Sequence, residues 1–562
     1  MSSAASVDDH LHKFQPLIRS TDPEVDLRYF ATLAHRLESN LPVITLAVGS
    51  SLTGVHGGCT EAAPVLKQSG ELCKCPLCCG SRCGSWGEKG WARSVHEWLD
   101  ARRPTVSGSK CFNLGEPGGT LIPAIVACPF TYLNMDGPHL VLVDALTSSL
   151  KDLERLLRHL LGRRAVPVLV QFFRFFVQGG GCVSKGRGAG QRLNGTTTTL
   201  TWLQHEVSRL YGTPPRPLPL LLREFFSDNF TDTMAALEKD LGPDRRVRTN
   251  FGTPQRIVRI IREDRDQMLE RRKLWAHYRL PVANLWEMYA LAAEAQAFDV
   301  CGATIGDGFH PSSKRGGWAA AGILMHIQRA LAAVNSSFVR AHGPSTSPPE
   351  IPRPLRVSAA RRRTSMMCFS FDQAGYELAT ASKLNRQQKE WTYSRGNRVE
   401  LRSVARWGVI PALPERNGWE FVAKEHRSRT KDKPGLVAVR PGARLGIELT
   451  LPPAMQAPST EVAGAPGACS LVLEHLTGYD SVGKVRLSCQ GGCNCETSTL
   501  DSSKGALGAG YVLKASRVKL LWLQSDVCRI MMELLNATSP GGGTRFKLAR
   551  ILVERERQPS EA

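Results

Sequence analysis

Two polar segments, far apart in the chain, contain residues that together could transfer an acyl group. GSSLTG at 49–54 follows the apolar run LPVITLAV and offers Ser51, while GDGFHP at 306–311 places Asp307 three residues before His310. In acyl transfer a serine hydroxyl attacks a carbonyl, a histidine takes its proton, and an acid orients the histidine. Each segment also has an ordinary interpretation, as a polar turn or as a helix cap. The chemistry therefore requires a fold that brings the two segments together.

Predicted strands and helices alternate from residue 24 to about residue 335. Strand patterns occur at LPVITLAVG, KCFNLGEPGG, HLVLVDAL, AVPVLVQFFRFFV and LPVANL, and helical patterns lie between them. Strands that are apolar on both faces belong in parallel sheets covered by helices. The pattern predicts a doubly wound α/β domain, with Ser51 at the carboxyl edge of its sheet, where such folds bind ligands.

The order of these motifs resembles the SGNH (GDSL-type) hydrolase family over roughly residues 40–335. That family has a flavodoxin-like fold, a nucleophilic serine after the first strand and an Asp-x-x-His motif near the end of the domain. The segment GSSLT is similar to the family's G-D-S-L-T, with Ser50 in place of the aspartate. The resemblance implies that Ser51 is the nucleophile, Asp307 the acid and His310 the base.

The same resemblance implies an oxyanion hole. Gly118, in NLGEPGGT, matches the glycine whose backbone N–H binds the oxyanion, and the amide of Ser51 would be a second donor. The family's third donor is an asparagine, but LVLVDALTSSL offers Ser148 at that position. A hydroxyl can donate a hydrogen bond, yet the replacement predicts weakened or lost catalysis.

The whole chain resembles a group of plant and algal SGNH-like proteins with a cysteine-rich insertion and a β-rich C-terminal part, here containing LEHLTGYDSVGKVRLSCQGGCNC. We expect an N-terminal segment with a helix (1–39), an SGNH-like α/β domain (40–338) with the insertion at 59–83, a Pro/Arg-rich linker that does not pack (339–365), a β-sandwich-like domain (366–540) and a charged tail (541–562). Trp391, Trp407 and Trp419 would stack on sugar rings or pack in the core of that sandwich.

Composition indicates a globular protein, with 42% hydrophobic and 22% charged residues. The 72 Lys and Arg residues against 51 Asp and Glu give a net charge of +21, but they are spread along the chain. No zinc-finger spacing or aromatic RNA-binding signature accompanies them, so we expect no nucleic-acid partner. No transmembrane segment is expected either, because no apolar run approaches the roughly 20 residues of a membrane span.

Cysteine usage points to the secretory pathway or the extracellular space. Six of the sixteen cysteines, including Cys59, lie in the insertion, and disulfides are the favoured interpretation. Zinc is the alternative, with Cys73, Cys75, Cys78, Cys79 and Cys83 as ligands. At least two further disulfides could form among Cys469, Cys489, Cys493, Cys495 and Cys528. Four N-x-S/T sequons, at Asn194, Asn229, Asn335 and Asn536, are compatible with secretion, although the N-terminus lacks the apolar core of a signal peptide.

Three functional hypotheses follow. The first is a serine carboxylester hydrolase or O-acyl transferase that acts on an acylated carbohydrate or another ester and needs no cofactor. The second is a catalytically weak or inactive scaffold that binds a glycan or a protein partner, which Ser148 favours. The third is zinc-dependent interaction through the insertion. The oligomeric state is open.

Overall fold

The computed structural model of the protein describes residues 25–54, 65–66, 72–73, 90–103, 108–115, 122–127, 138–145, 148–172, 254–285, 317–342, 350–355, 365–370, 391–394, 398–401, 412–422, 435–450, 468–477, 482–503, 512–522, 527–538 and 543–555. The chain divides into two compact units. The first comprises Met1–Thr60, Arg82–Glu116 and Gly137–Ala359, and the second comprises Glu61–Ser81, Pro117–Asp136 and Ala360–Ala562.

A parallel sheet forms the centre of the first unit. β1 (Ile44–Gly49) is followed in the chain by a short antiparallel pair, β2 (Val65–Leu66) and β3 (Leu72–Cys73), which belongs to the second unit. The sheet continues with β4 (Lys110–Gly115), β5 (Leu140–Val143), β6 (Val166–Gln171) and β7 (Val282–Asn284). Its five strands are all parallel and lie in the order β4-β1-β5-β6-β7. The predicted parallel α/β sheet is confirmed, and its strand order is that of flavodoxin-like folds.

Helices cover both faces of this sheet. They are α1 (Ala31–Glu38), α2 (Ser51–Gly54), α3 (Trp91–Ala101), α5 (Leu150–Gly162), α6 (Pro254–His277), α7 (Gly317–Ala333) and α8 (Ser336–His342), whereas α4 (Ile122–Ala127) belongs to the second unit. One face packs Ala47, Leu142 and Val168 into a core with α1, α3 and α7. The alternate residues Leu46 and Val141 are also buried, and α5, next to α6, packs against β6. Burial on both faces explains why the strands are almost wholly apolar.

Residues 350–355 belong to the first unit and pack against its helix α5, although the sequence places them in a linker that does not pack. The backbone N–H of Leu355 donates a hydrogen bond of 2.5 Å to Glu154 on α5, and Arg158 donates to the carbonyl of Pro352. Proline removes backbone donors but keeps the carbonyl acceptor. A proline-rich segment can therefore pack against a helix that presents basic side chains.

Besides the short pair β2–β3, the described residues of the second unit form two larger antiparallel sheets. Their strands are β8 (Ser365–Ser370), β9 (Trp391–Ser394), β10 (Arg398–Leu401), β11 (Ala412–Asn417), β12 (Trp419–Val422), β13 (Gly435–Ala438), β14 (Arg444–Thr450), β15 (Ala468–Thr477), β16 (Gly483–Gly491), β17 (Cys493–Cys495), β18 (Ser498–Asp501), β19 (Val512–Trp522), β20 (Val527–Thr538) and β21 (Phe546–Arg555). One sheet has the order β17-β19-β15-β21-β13-β12-β10-β9, with β8 also paired to β21, and the other has the order β11-β14-β20-β16-β18.

The two sheets share one hydrophobic core, which makes this unit a β-sandwich. Leu473 of β15 and Ile551 of β21 pack in one cluster with Ile447 of β14 and Ile530 of β20. Trp419 is buried in the same core, in edge contact with Phe546, so it packs against protein and not against a sugar. Trp391 lies in β9, and Trp407 is outside the described residues.

The charged tail expected from residue 541 is instead β21, inside the larger sheet between β15 and β13. Its sequence, FKLARILVER, reads as a tail because Lys547 and Arg550 interrupt the apolar run. Both side chains are buried, and Arg550 forms an ion pair with Glu474 of β15. A buried charge is tolerated when it is paired, and that pairing is not visible in the local sequence.

Two disulfides join the sheets of the sandwich. Cys493 of β17 is bonded to Cys528 of β20, and Cys495 of β17 is bonded to Cys489 of β16. β17 belongs to the larger sheet, whereas β16 and β20 belong to the smaller one. The expectation of at least two disulfides in this region is confirmed, and both tie β17 to the opposite sheet.

Replacing Cys493 and Cys528 together by serine is expected to lower the free energy of unfolding of the sandwich by about 2–4 kcal/mol. The bridge spans 35 residues, so the unfolded chain regains loop entropy when it is removed. Urea denaturation without reductant measures the loss. The matched variant, with Cys489 and Cys495 replaced by serine, opens a loop of only 6 residues and should lose less. An equal or larger loss in that variant would contradict the argument.

Each unit also buries a histidine with a depressed pKa. His96 on α3 lies 2.9 Å from the hydroxyl of Thr45, and burial, with a smaller effect of Arg93, lowers its pKa to about 4. His475 on β15 lies 3.0 Å from Ser502 and 2.9 Å from Ser516. Burial, aided by the charge of Lys514 and opposed by that of Asp501, lowers the pKa of His475 to about 4.

The stability of both units is therefore expected to fall as the pH drops from 6.5 to 4. An unfolded histidine protonates near pH 6.5, whereas these two resist protonation until about pH 4, so unfolding takes up protons in this window. Below pH 4, each histidine lowers the free energy of unfolding by about 3 kcal/mol relative to its value at neutral pH. Urea denaturation between pH 7.5 and 4 measures the slope. His475→Gln should flatten the slope for the sandwich and leave the slope of the α/β unit unchanged.

Candidate functional site

The carboxyl edge of the parallel sheet contains a topological switch point between β1 and β5. The chain passes from β1 to β4 on one side and from β5 to β6 and β7 on the other. Loops that leave two adjacent strands in opposite directions open a crevice at their carboxyl ends, and open α/β sheets bind ligands there. A ligand-binding site is therefore expected at the turn after β1 and the residues after β5.

The turn after β1 is held by a carboxylate from the next strand. Asp144, directly after β5, accepts hydrogen bonds at Oδ2 from the backbone N–H of Ser50 (3.1 Å), the hydroxyl of Ser50 (2.6 Å) and the hydroxyl of Thr53 (3.3 Å). Ser50, Thr53 and Asp144 are all buried. Hydrogen bonds to a charged acceptor are short and strong, and the distance to the Ser50 hydroxyl is typical of them.

Gly49 is required for the close approach of Asp144 to the turn after β1. A Cβ atom at residue 49 would lie 2.5 Å from Cβ of Asp144 and 2.7 Å from both the Asp144 carbonyl and the Thr53 hydroxyl. Since two of these neighbours cannot move without shifting β5, a side chain larger than hydrogen would separate the two strand ends. The glycine before the two serines therefore lets Asp144 reach the turn.

Two further side chains hold the other side of the turn. The indole N–H of Trp91, on α3, donates to the carbonyl of Leu52 at 2.9 Å. The amide of Asn113, on β4, donates to the carbonyl of Thr53 at 2.7 Å, and its own oxygen accepts from Gly115. The short helix α2 is thus fixed from β4, β5 and α3 together.

Polar side chains concentrate at this carboxyl edge. Gln171 ends β6, Asn284 ends β7 beside it, and Ser148 follows β5; all three are buried. At the opposite edge the five strands begin at Ile44, Lys110, Leu140, Val166 and Val282, and Ser109 and His139 accept hydrogen bonds from backbone N–H groups there. Several polar side chains at the carboxyl edge are typical of the ligand sites of open α/β sheets.

Helix α6 adds positive charge to the same edge. Gln171 donates to the carbonyl of Met268 and accepts from Arg272 at 3.1 Å, which joins α6 to the end of β6. Burial lowers the pKa of the Arg271 guanidinium, and the charges of Asp144 and Asp264 oppose that shift. The edge therefore combines a carboxylate, amides and hydroxyls with a buried guanidinium.

The predicted site residues are only partly within the described residues. Ser51 is the first residue of α2, directly at the switch point. Ser148 is buried before α5, whose N-cap is its neighbour Ser149. Gly118, Asp307 and His310 lie outside the described residues, so their assembly with Ser51 stays a prediction. Of the proposed zinc ligands, Cys73 lies in β3 and Cys75, Cys78, Cys79 and Cys83 lie outside; among the described residues no group of three or more His, Cys, Asp or Glu is placed to hold a metal ion.

Sequence reasoning missed the pairing of Ser50 with Asp144. In sequence Ser50 stands out only because the resembled family has an aspartate there, and Asp144 looks like the end of a strand. The signal is present nonetheless, because an acid that directly follows an apolar parallel strand must lie at the carboxyl edge. In the structure, the carboxylate beside Ser50 comes from Asp144 at the end of the neighbouring strand β5.

Comparisons with known proteins show no family for this chain. No family model and no curated protein matches it. A carbohydrate-binding module (CBM36-1) of a xylanase from the hindgut metagenome of Trinervitermes trinervoides matches at 10% identity and a TM-score of 0.17, over 26% of this chain and 93% of that one. A second module, from Cellvibrio mixtus lichenase 5A in complex with cellotriose, matches at 11% identity and a TM-score of 0.17, over 26% of this chain and 92% of that one. An exo-β-1,3-galactanase from Phanerochaete chrysosporium matches at 15% and 0.15, over 25% of this chain and 27% of that one.

These similarities concern the β-sandwich of the C-terminal part, and none is to an SGNH hydrolase. At such identities and TM-scores they establish no activity for this chain. The SGNH resemblance stays a resemblance of sequence motifs. No helix within the described ranges is long and apolar enough to cross a membrane.

Proposed function

We propose that this protein binds a carbohydrate and that the carboxyl edge of its parallel sheet is where it does so. The observation that carries the proposal is the presence of buried Ser148, Gln171, Asn284 and Asp144 together at that edge, where open α/β sheets bind ligands. A sugar hydroxyl donates one hydrogen bond and accepts others, so it matches carboxylates, amides and hydroxyls better than it matches an apolar lining.

The proposal is tested by affinity electrophoresis of the full chain in gels that contain O-acetylated or deacetylated forms of one polysaccharide. Asn284→Ala removes an amide from the edge and should weaken retardation roughly tenfold, the value of one good hydrogen bond. Asn494→Ala removes an exposed amide from β17 of the sandwich and serves as the matched control.

Three outcomes are informative. Loss of retardation in Asn284→Ala but not in Asn494→Ala supports binding at the edge. If the chain binds and Asn284→Ala binds as well as the wild type, the ligand lies elsewhere, and the edge is not the site. If no polysaccharide retards the folded chain, carbohydrate binding itself is wrong.

A second candidate function is serine-dependent ester hydrolysis or acyl transfer at the same edge. It is favoured by the position of Ser51, which begins α2 at the switch point in a turn held from three sides. Ser51 would attack the ester carbonyl while His310 takes its proton and Asp307 orients His310, and the amides of Gly118 and Ser51 would bind the oxyanion. The ester C–O bond would then break, and the alcohol would leave with the proton returned by His310. An O-acetylated glycan is the substrate class that joins both candidate functions.

Fluorophosphonate labelling of the folded chain tests this chemistry. We expect an adduct at Ser51, located by mass spectrometry, and its loss in both Ser51→Ala and His310→Ala, because only an activated serine reacts. Ser148→Asn should raise the labelling rate if Ser148 is the weak oxyanion donor. Labelling of Ser51→Ala at the wild-type rate would disprove the assignment of the nucleophile.

A further inference from the structure

We infer that Asp144 is a positioning residue that fixes the turn carrying Ser51. This inference rests on the second candidate function, the acyl chemistry proposed for Ser51. The carboxylate binds residues on both sides of Ser51, namely Ser50 before it and Thr53 after it. An acceptor that holds both ends of a four-residue turn leaves the backbone of Ser51 little freedom, and reactive groups need that kind of support.

The negative charge of Asp144 matters as much as its shape. One oxygen, Oδ2, accepts from three donors within a buried cluster. An ionised carboxylate only accepts hydrogen bonds, whereas the amide of an asparagine has one acceptor oxygen and a donor group in place of the other. The variant Asp144→Asn would thus present a further donor to this cluster of donors, and burial prevents water from replacing the lost hydrogen bonds.

The contact also separates the roles of the two adjacent serines. The hydroxyl of Ser50 donates to Asp144 at 2.6 Å, and the residue is 2% exposed. A hydroxyl in that position cannot reach the carbonyl of a bound ester. Ser50 therefore belongs to the support of the turn, and the reactive role is left to Ser51.

The geometry makes an exchange of residues a sharp test. Because the side chains of Ser50 and Asp144 face each other, Ser50→Asp combined with Asp144→Ser keeps one carboxylate and one hydroxyl in the same space. An aspartate at position 50 can still cap α2, whose Leu52 N–H now donates to Ser50 Oγ at 3.3 Å. If Asp144 acted only by filling space, exchanging the two residues would not be expected to restore the behaviour of the wild type.

The experiment measures two quantities on the full chain, the rate of fluorophosphonate labelling and the hydrogen exchange of the peptide that contains residues 50–53. We expect Asp144→Asn and Asp144→Ser each to slow labelling about tenfold or more and to speed exchange, since misplacing a reactive group by a fraction of an ångström has effects of this size. The double variant with the two residues exchanged should return both quantities to within about threefold of the wild type. Asp100→Asn, the same chemical change on α3, should alter neither.

The outcomes separate this inference from the chemistry on which it rests. If the wild type reacts and Asp144→Asn reacts at the same rate, the positioning role is wrong. If the wild type does not react, the acyl chemistry is wrong, and hydrogen exchange alone decides: unchanged exchange in Asp144→Asn overturns the positioning role, whereas faster exchange that the double variant reverses supports it. If Asp144→Asn does not fold, Ser50→Ala, which removes one hydroxyl donor, takes its place with the same expected direction.

Discussion

Replacing Arg550 with methionine is expected to lower the free energy of unfolding of the β-sandwich by about 3–5 kcal/mol. Arg550 donates to Glu474 on the neighbouring strand β15, and the two side chains are only 2% and 7% exposed. Methionine fills a similar volume, so the loss comes from the carboxylate of Glu474, which stays buried without its ion-pair partner. Urea denaturation, combined with hydrogen exchange of the amides of β15 and β21, measures the change in this unit.

Two controls decide whether the charge is the cause. In the double variant Glu474→Leu with Arg550→Met both charges are gone, and we expect most of the lost stability to return, because a buried ion pair is often no better than apolar packing. Arg486→Met breaks the pair with Glu533 on the smaller sheet, where the side chains are 56% and 36% exposed, and should cost no more than about 1 kcal/mol. A double variant as unstable as Arg550→Met would show that packing and not charge is responsible.

The fold of each unit could be predicted where local sequence carries the signal. Strands such as ITLAVG and LVLV are apolar at nearly every position, which only a sheet buried on both faces requires, and the sequence therefore predicts the parallel sheet. The short runs of the C-terminal part predict the antiparallel sandwich in the same way. In both cases the pattern of apolar residues within one strand indicates which of its faces are buried.

The remaining features depend on contacts between distant parts of the chain. β21 reads as a charged tail until Arg550 is paired with Glu474, 76 residues earlier. Asp144 and Ser50 are 94 residues apart, and the local sequence around either residue does not indicate the contact. A buried charge looks like a surface charge in sequence, because only the partner makes its burial tolerable. The hydrogen bonds that hold the turn after β1 therefore could not be predicted from the sequence, and they became visible only in the structure.

Replacing Trp91 with alanine is expected to cost the α/β unit about 3–5 kcal/mol and to loosen the turn after β1. The indole is fully buried on α3, lies edge-on to Phe172 at 5.3 Å, and donates to the carbonyl of Leu52. The alanine variant loses the packing of the ring and leaves that carbonyl without the indole donor. Denaturation measures the stability, and hydrogen exchange of residues 50–53 measures the order of the turn.

Trp91→Phe separates the two contributions. Phenylalanine keeps a ring in the core but cannot donate to Leu52, so we expect a loss of about 1–2 kcal/mol together with faster hydrogen exchange in the turn. Trp98→Phe is the matched control, since Trp98 lies on the same helix and is also buried, and it should leave exchange of the turn unchanged. If exchange of residues 50–53 is as slow in Trp91→Phe as in the wild type, the indole is only a core residue, and Asp144 and Asn113 suffice to hold the turn that carries Ser51.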